Sequence, residues 1–457
     1  MKPSLKSLGL ISLATGLAAA RCAGQQTSLW DSLTNSDDVQ RLKSFIAEKE
    51  AQANTATNEP PAELPAFFAA AQEGDWAGLN GIFKDYRNHA GQYEHTGATN
   101  ERLRGTKWQD IIEVWGGLEA FVDGNENYSA LYANDIIGSL PPGSIYFGGT
   151  DPGRFLVTAM EKSQVDGDPF LLVTQNALAD GTYLDYLRTM YGDKIYIPTK
   201  EDSQQCFSDY SADAQQRMKN GQLKEGEKVS TDPNTGRLQI AGQVAVMEIN
   251  GLLAKVIFDH NTDRDFYIEE SFPLDWMYPH LEPHGLIFKL NREPLAKLSD
   301  ETLQKDRDYW TKTITPMIGS WLTDDTSVAD ISAYAEKVFL NHDFSNFTGD
   351  TNFVLSRYSY RTFSKERNSI GGLYTWRAKH TDDAAEKDRM NRAADFAFRQ
   401  SWALCPDLPE VVSRYVELLN DEKRHVDALT VAETAAECDT TNAVFQNLVT
   451  QLKQEQH

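Results

Sequence analysis

Cysteine is scarce, with four in 457 residues, and that excludes a disulfide scaffold. Cys206, Cys405 and Cys438 are widely spaced and match no zinc pattern, which leaves buried or half-buried thiols. Long apolar runs are missing as well. Beyond the amino terminus no stretch approaches the roughly 18 apolar residues of a bilayer span. Positive charge is in deficit: 44 bases face 67 acids, for a formal net charge of −23. No Lys/Arg run is dense enough to reverse that locally, which argues against nucleic acid and anionic membranes as partners. Several chemical signatures are absent too. There is no G-x-G-x-x-G, no G-x-x-x-x-G-K, no H-E-x-x-H and no G-x-S-x-G, so the chain offers no motif for a cofactor, a metal or a nucleophilic serine.

What is present begins with an export signal. Lys2 and Lys6 precede an apolar core from Leu8 to Leu17 that ends in Ala18-Ala19-Ala20, the layout of a cleaved leader. The mature chain is expected to be extracytoplasmic, periplasmic or envelope-associated. Cys22 stands where a lipoprotein cysteine would, but Arg21 before it breaks that motif. Aromatic residues at 11% and apolar residues at 40% are globular values, and the length suits two or three domains.

The stretch that organises the chain is Gly143–Val157. Ile145-Tyr146-Phe147 reads as a buried strand. Gly148-Gly149 permits a sharp turn, Asp151 suits a helix cap and Pro152 the first helical position. Strand, glycine turn and capped helix form an α/β unit whose ligand crevice lies beyond the strand's carboxyl end. Further strands are expected at Phe170–Thr174, Ile195–Ile197, Phe266–Ile268 and Leu286–Phe288. A helix is expected over Tyr183–Tyr191, and an all-round apolar, buried one over Val244–Phe258. Between Met218 and Arg237 the polar run with Asp232-Pro233-Asn234-Thr235-Gly236 reads as a surface hairpin or excursion. Strands alternating with helices imply an α/β fold with a doubly wound, mainly parallel sheet.

Helices flank this segment. Val39, Leu42, Phe45 and Ile46 recur at helical spacing over Asp37–Ala53, and a linker follows from Gln52 to Pro65. Phe67–Ala71 and Trp76–Tyr86, broken at Gly74-Asp75, form a helical hairpin; a helix over Trp108–Phe121 turns Ile111, Ile112, Val114, Trp115 and Leu118 inward. From Leu298 onward only helices are legible. Ala403 and Ala436, Cys405 and Cys438, Phe396 and Leu429, and Leu419 and Leu452 share a spacing of about 33 residues, close to the tetratricopeptide period. The layout is thus a signal peptide (1–24), an N-terminal helical region (25–138), an α/β domain (139–292) and a C-terminal all-α, tetratricopeptide-like region (293–457).

Two sets of side chains could carry chemistry. At the strand ends stand Thr150, Asp151, Arg154, Gln175, Asn176 and Asp180; helix N-terminal amides with Arg154 would favour phosphate or carboxylate. The plainer alternative is that Asp151 caps its helix and Arg154 pairs with an acid. The second set is Glu269-Glu270-Ser271 with Asp275, Trp276, Tyr278, His280, Glu282 and His284. Paired carboxylates with aromatics suit sugar recognition or acid–base work, or else a solvated packing contact. Pro283 breaks any helix that would align the two imidazoles on a metal. The other tryptophans, among them Trp30, Trp76, Trp108, Trp115, Trp310, Trp321, Trp376 and Trp402, fall in helical patterns and read as core.

The run from Gly143 through Arg292 resembles the soluble C-terminal region of bacterial O-mannosyltransferase-like membrane proteins of the GT-C superfamily. Gly148-Gly149-Thr150-Asp151-Pro152-Gly153-Arg154-Phe155 occupies the place of their strand, Asp/Asn turn and helix. Thr174-Gln175-Asn176-Ala177 and Ser271-Phe272-Pro273-Leu274-Asp275-Trp276 are similar to segments of exported bacterial proteins without an assigned activity. The resemblance implies an α/β fold and an envelope location. It carries over no catalytic residue, because the family's transfer chemistry is expected in a multi-span membrane portion. The chain is therefore expected to be a non-catalytic scaffold or binding protein, with a protein partner on the helical array and a glycan or a membrane glycosyltransferase as further partners. The competing expectation is an enzyme acting on a phosphorylated or sugar substrate in the crevice at Asp151.

Overall fold

The computed structural model describes residues 28–55, 61–89, 108–161, 170–224, 226–231, 238–269 and 274–455. The leader, Cys22, the whole Asp/Pro/Gly turn at 232–236, and Glu270 to Pro273 lie outside the described residues, as does the middle of the expected linker.

The N-terminal layer is helical: α1 (Leu29–Ser32), α2 (Ser36–Asn54), α3 (Glu63–Glu73), α4 (Trp76–His89), α5 (Trp108–Asp123) and α6 (Glu126–Ser139). Asn35 opens α2 by accepting from the Asp37 amide, and Leu42, Phe45, Ile46 and Ala53 bury its inner face. The expected hairpin of α3 and α4 forms, with α3 ending on Gly74 in the left-handed region at φ 72°. Lys49 of α2 is buried against Glu113 of α5 at 2.6 Å, and the Tyr186 hydroxyl joins both. In α5, Ile112 and Trp115 are only half-buried, while Ile111, Val114 and Leu118 point inward.

Strand β1 (Ile145–Gly148) follows, wholly buried, then a π-helical turn (Pro152–Leu156) running into α7 (Val157–Met160). Next come β2 (Leu171–Thr174), α8 (Gly181–Tyr191), α9 (Lys200–Asn220), the hairpin β3 (Lys228–Thr231) and β4 (Leu238–Ala241), α10 (Gln243–His260), β5 (Phe266–Ile268), β6 (Leu281–His284) and β7 (Ile287–Leu290). The main sheet has the order β2-β1-β5-β7-β6. β1 runs parallel to β2 and β5, whereas β7 is antiparallel to both β5 and β6. The sheet is therefore mixed rather than mainly parallel. Phe147 pairs with both Val173 and Ile268, which puts the carboxyl ends of the parallel strands side by side.

Two expectations fail here for identifiable reasons. Ile195–Ile197 is not a strand, because the Asn261 side chain takes the hydrogen bonds a neighbouring strand would make. Its Oδ1 accepts from the Tyr196 N–H at 2.7 Å and its Nδ2 donates to the Tyr196 carbonyl at 3.1 Å. Helix α10 is not buried all round: Val246 is 46% exposed, and the buried face comprises Asn250, Leu253, Ala254 and Ile257.

The C-terminal region is all helix: α11 (Asp300–Ile318), α12 (Val328–Ala335, continued by a π turn to Leu340), α13 (Thr351–Leu355), α14 (Arg357–Lys379), α15 (Ala384–Leu404), α16 (Pro409–Asp421), α17 (His425–Cys438) and α18 (Ala443–Glu455). From α14 onward each helix packs on the next across a short connection. Helix α12 lies against α15 and α17, and the Ser332 and Thr434 hydroxyls are 2.7 Å apart. Of the tryptophans read as core, Trp310 and Trp402 are fully buried, while Trp30, Trp76, Trp108, Trp115, Trp321 and Trp376 are partly exposed. Among the described residues no helix is long and apolar enough to cross a membrane.

Candidate functional site

In the order β2-β1-β5, the chain leaves β1 toward one side and returns on the other, so β1 and β5 flank a switch point. Ligand crevices of open α/β sheets lie beyond the carboxyl ends of such strands. There the backbone of β1 enters the glycine turn, and β5 delivers Glu269 directly after Ile268. The Glu269 amide still bonds the Phe147 carbonyl at 3.0 Å, which fixes the side chain at the mouth of the turn.

Glu269 is 1% exposed. Its carboxyl group accepts from the Gly149 N–H at 2.7 Å and the Thr150 N–H at 2.8 Å, and the Thr150 hydroxyl also donates to it. These donors are the amides expected to receive a ligand anion. The protein's own carboxyl occupies them. Beneath it, the Tyr132 hydroxyl on α6 donates to Glu366 of α14 at 2.6 Å and lies 3.4 Å from Glu269. Glu366 is itself 1% exposed and hydrogen-bonds to Glu269. Burial holds the Glu269 carboxyl above its ordinary range, and the donors from Thr150 and Gly149 offset only part of that. The turn is short of space. A Cβ on Gly148 would approach the Gly153 carbonyl to 2.9 Å, and the Tyr146 hydroxyl donates to that same carbonyl at 2.9 Å.

The expected strand-end residues are mostly struts. Asp151 does not cap its helix: its backbone is already helical and its side chain makes no capping bond. Thr150 takes that place, accepting from the Gly153 N–H at 3.3 Å. Asp151 is exposed and receives the Arg154 guanidinium at 2.7 Å, while that guanidinium also covers the Phe155 ring. Asn176 donates to the Gly149 carbonyl at 2.7 Å and accepts on its own carbonyl from Asn250 at 2.9 Å. Gln175 is buried, and Asp180 caps α8 through the Thr182 N–H at 2.8 Å.

The second expected set does not assemble with the first, apart from Glu269. The Trp276 indole donates to the Gly251 carbonyl at 3.1 Å and packs on Phe258, and Asp275 is exposed. His280 faces the Asn291 carbonyl at 2.8 Å, His284 faces the Ser139 carbonyl at 2.9 Å, and Glu282 accepts from Asn291 at 3.0 Å. Tyr278 stacks on Trp376. Among the described residues no three His, Cys, Asp or Glu side chains are grouped to hold a metal ion. Cys206, Cys405 and Cys438 are free thiols raised by burial, Cys206 to about 11 and Cys438 to about 12.

Around the turn's outer edge, beside Asp151, stands a rim that no motif in the chain marks. Glu119 on α5 lies close enough to Asp123, one helical turn on, and to Asp151 for the charges to interact. Burial, then Asp123, then Asp151 push the Glu119 carboxyl up to about 8, while Arg87 opposes them. Burial alone raises Asp123. Tyr358, at the start of α14, sits among Asp151, Glu119, Asp123 and Glu269 and rests against Gly124. The Asn125 amide holds α14 close by donating to the Ser359 hydroxyl at 3.2 Å. Glu269 carried a local signal, a carboxylate placed directly after the buried Phe266-Tyr267-Ile268 strand, whereas Glu119, Asp123 and Tyr358 carried none.

Comparison with known families, curated proteins and solved structures returns no match for this chain.

Proposed function

We propose that this chain is an extracytoplasmic, non-catalytic binding protein of the bacterial envelope, and that the rim at the β1–β5 switch point takes an uncharged glycan. One observation carries this reading: Glu269 already fills the glycine-turn amides, and the groups left around it are the exposed Asp123 and Asp151 with the half-buried Glu119 and Tyr358. Carboxylates accept hydrogen bonds from sugar hydroxyls, and a tyrosine ring offers an apolar face. The exposed Asp123 and Asp151 side chains repel a phosphate. Export rests on the Lys2-to-Ala20 leader. Two finer architectural readings belong with it. The β2-β1-β5 order supports a doubly wound half-sheet, and the repeat linking Ala403 with Ala436 supports a tetratricopeptide-like array for a protein partner, including a membrane glycosyltransferase. The test is titration calorimetry with neutral mono- and oligosaccharides and the matching sugar phosphates. Binding of a neutral sugar that is lost in Asp151→Ala supports the reading; preference for the phosphate, or no binding at all, overturns it.

A second reading, an enzyme acting on a sugar substrate, is favoured by Glu119. A carboxyl group titrating near 8 beside the Asp151 carboxylate is an acid–base arrangement. Glycoside cleavage or transfer that disappears in Glu119→Gln while sugar binding persists would select it over the first.

A further inference from the structure

The pair beneath the turn has no part in the rim's chemistry, and its placement is peculiar. Glu269 directly follows strand β5 and Glu366 lies on α14, so the two carboxyls that the Tyr132 hydroxyl brings together lie across the joint between the α/β segment and the C-terminal helices. Both side chains are 1% exposed. The Tyr132 hydroxyl reaches both, at 2.6 Å and 3.4 Å, from a third element, α6. We propose that Glu269 and Glu366 share one proton and that this proton latches the glycine turn to helix α14. Glu366 keeps the proton and donates it to the Glu269 carboxylate, which also receives the Gly149 and Thr150 amides. The Tyr132 hydroxyl also donates to Glu366.

The groups facing the pair are Tyr132 from α6, Tyr146 from β1, Tyr309 from α11 and Tyr358 from α14, with Thr150 supplying a hydroxyl. Each of those tyrosines is itself raised by burial, so none supplies a proton to the pair at ordinary pH. Removing the shared proton leaves two carboxylates facing each other in a site closed to water. Their repulsion acts along one line only: it drives the turn carrying Gly149 and Thr150 away from α14, and Tyr358 of the rim travels with that helix. The latch holds at acid pH and releases as pH rises. It stands whether or not the rim binds a glycan.

Hydrogen exchange of the full chain, followed by mass spectrometry across about pH 5 to about pH 9 and corrected for intrinsic exchange, tests this. The wild type should lose protection over 147–155 and over the first turns of α14 together as pH rises. In Glu366→Gln the side-chain amide donates to Glu269 in place of the proton, so protection should stay level across the series. Equal pH dependence in wild type and Glu366→Gln overturns the proposal. Should that variant fail to fold, the wild-type series still decides: protection over 147–155 that does not change between the two ends of the range overturns it as well.

Discussion

Gly153 lies directly against the carboxyl group of Glu269: a Cβ built on it would fall 2.0 Å from the Glu269 carboxyl carbon. The helix that leaves the turn can pass this close to β5 only because residue 153 has no side chain. Gly153→Ala therefore must push Glu269 off the Gly149 and Thr150 amides or move the helix. The expected cost is about 1–3 kcal/mol, read as a lower urea midpoint. Gly181→Ala is the control, because nothing lies within 4 Å of its added Cβ at the start of α8. There the change should stabilise by about 0.4–1 kcal/mol.

Thr150 and Asp151 separate a structural role from an exposed one. Thr150 caps the helix and donates to a buried carboxyl, whereas the Asp151–Arg154 pair has side chains 58% and 22% exposed. Thr150→Val keeps the shape and removes the hydroxyl, leaving Glu269 a donor short, and should cost about 1–3 kcal/mol. Asp151→Asn should stay within about 1 kcal/mol, since exposed pairs contribute little. Denaturant unfolding of the two variants side by side checks the order; a larger loss for Asp151→Asn would reassign the cap.

How far the chain could be read in advance follows from how each element buries its polar backbone. The runs at Ile145, Phe170, Phe266 and Leu286 were legible as strands because each opens on three or more consecutive apolar residues that are buried on both faces. Ile195–Ile197 looks the same in composition, but a single side chain, Asn261, replaces the neighbouring strand, and no local pattern records that. Strand β6 is not legible in the chain because Leu281-Glu282-Pro283-His284 is polar and holds a proline; it is an edge strand, where proline is tolerated. Helix α9 was hidden by its thin apolar stripe, Cys206, Tyr210 and Ala214 at a four-residue spacing. The glycine turn was legible as a turn. Its filling was not, because Glu269 comes from a strand more than a hundred residues away, and Glu366 and Tyr132 lie on helices whose carboxyl and hydroxyl groups look like solvated positions in the chain.

In the C-terminal region, Arg367 and Asp306 form a buried pair at 2.7 Å, with side chains 1% and 3% exposed. Tyr374 donates to the same carboxylate at 2.7 Å, Gln400 receives the Arg367 Nε at 2.8 Å, and the guanidinium lies over the Trp310 ring. The network joins α11, α14 and α15. Asp306→Ala leaves a buried guanidinium without its anion and should cost about 3–5 kcal/mol, whereas Asp306→Ala combined with Arg367→Met should recover a large part of it. Urea unfolding of the single and double variants tests this; a double variant no more stable than the single would mean that packing, not charge, is what the pair supplies.

Glu119 gives the rim a pH signature of its own. Burial and its two acidic neighbours raise its carboxyl from 4.5 to about 8 in the folded chain. A group whose folded value is raised binds its proton more tightly in the native state than in the unfolded one. Its favourable contribution is therefore complete below about pH 4.5 and declines as pH climbs through about 8. Glu119→Gln keeps the shape and removes the titration. Near pH 5 the variant and the wild type should melt within a degree or so of each other, and above about pH 8 the variant should melt higher. Differential scanning calorimetry across that range measures the divergence. Because Asp123 and Asp151 contribute to the shift, Asp151→Asn should move the same transition to lower pH. A Glu119→Gln curve parallel to the wild type at every pH would show that Glu119 titrates like an ordinary surface carboxylate, and the acid–base reading of the rim would fall with it.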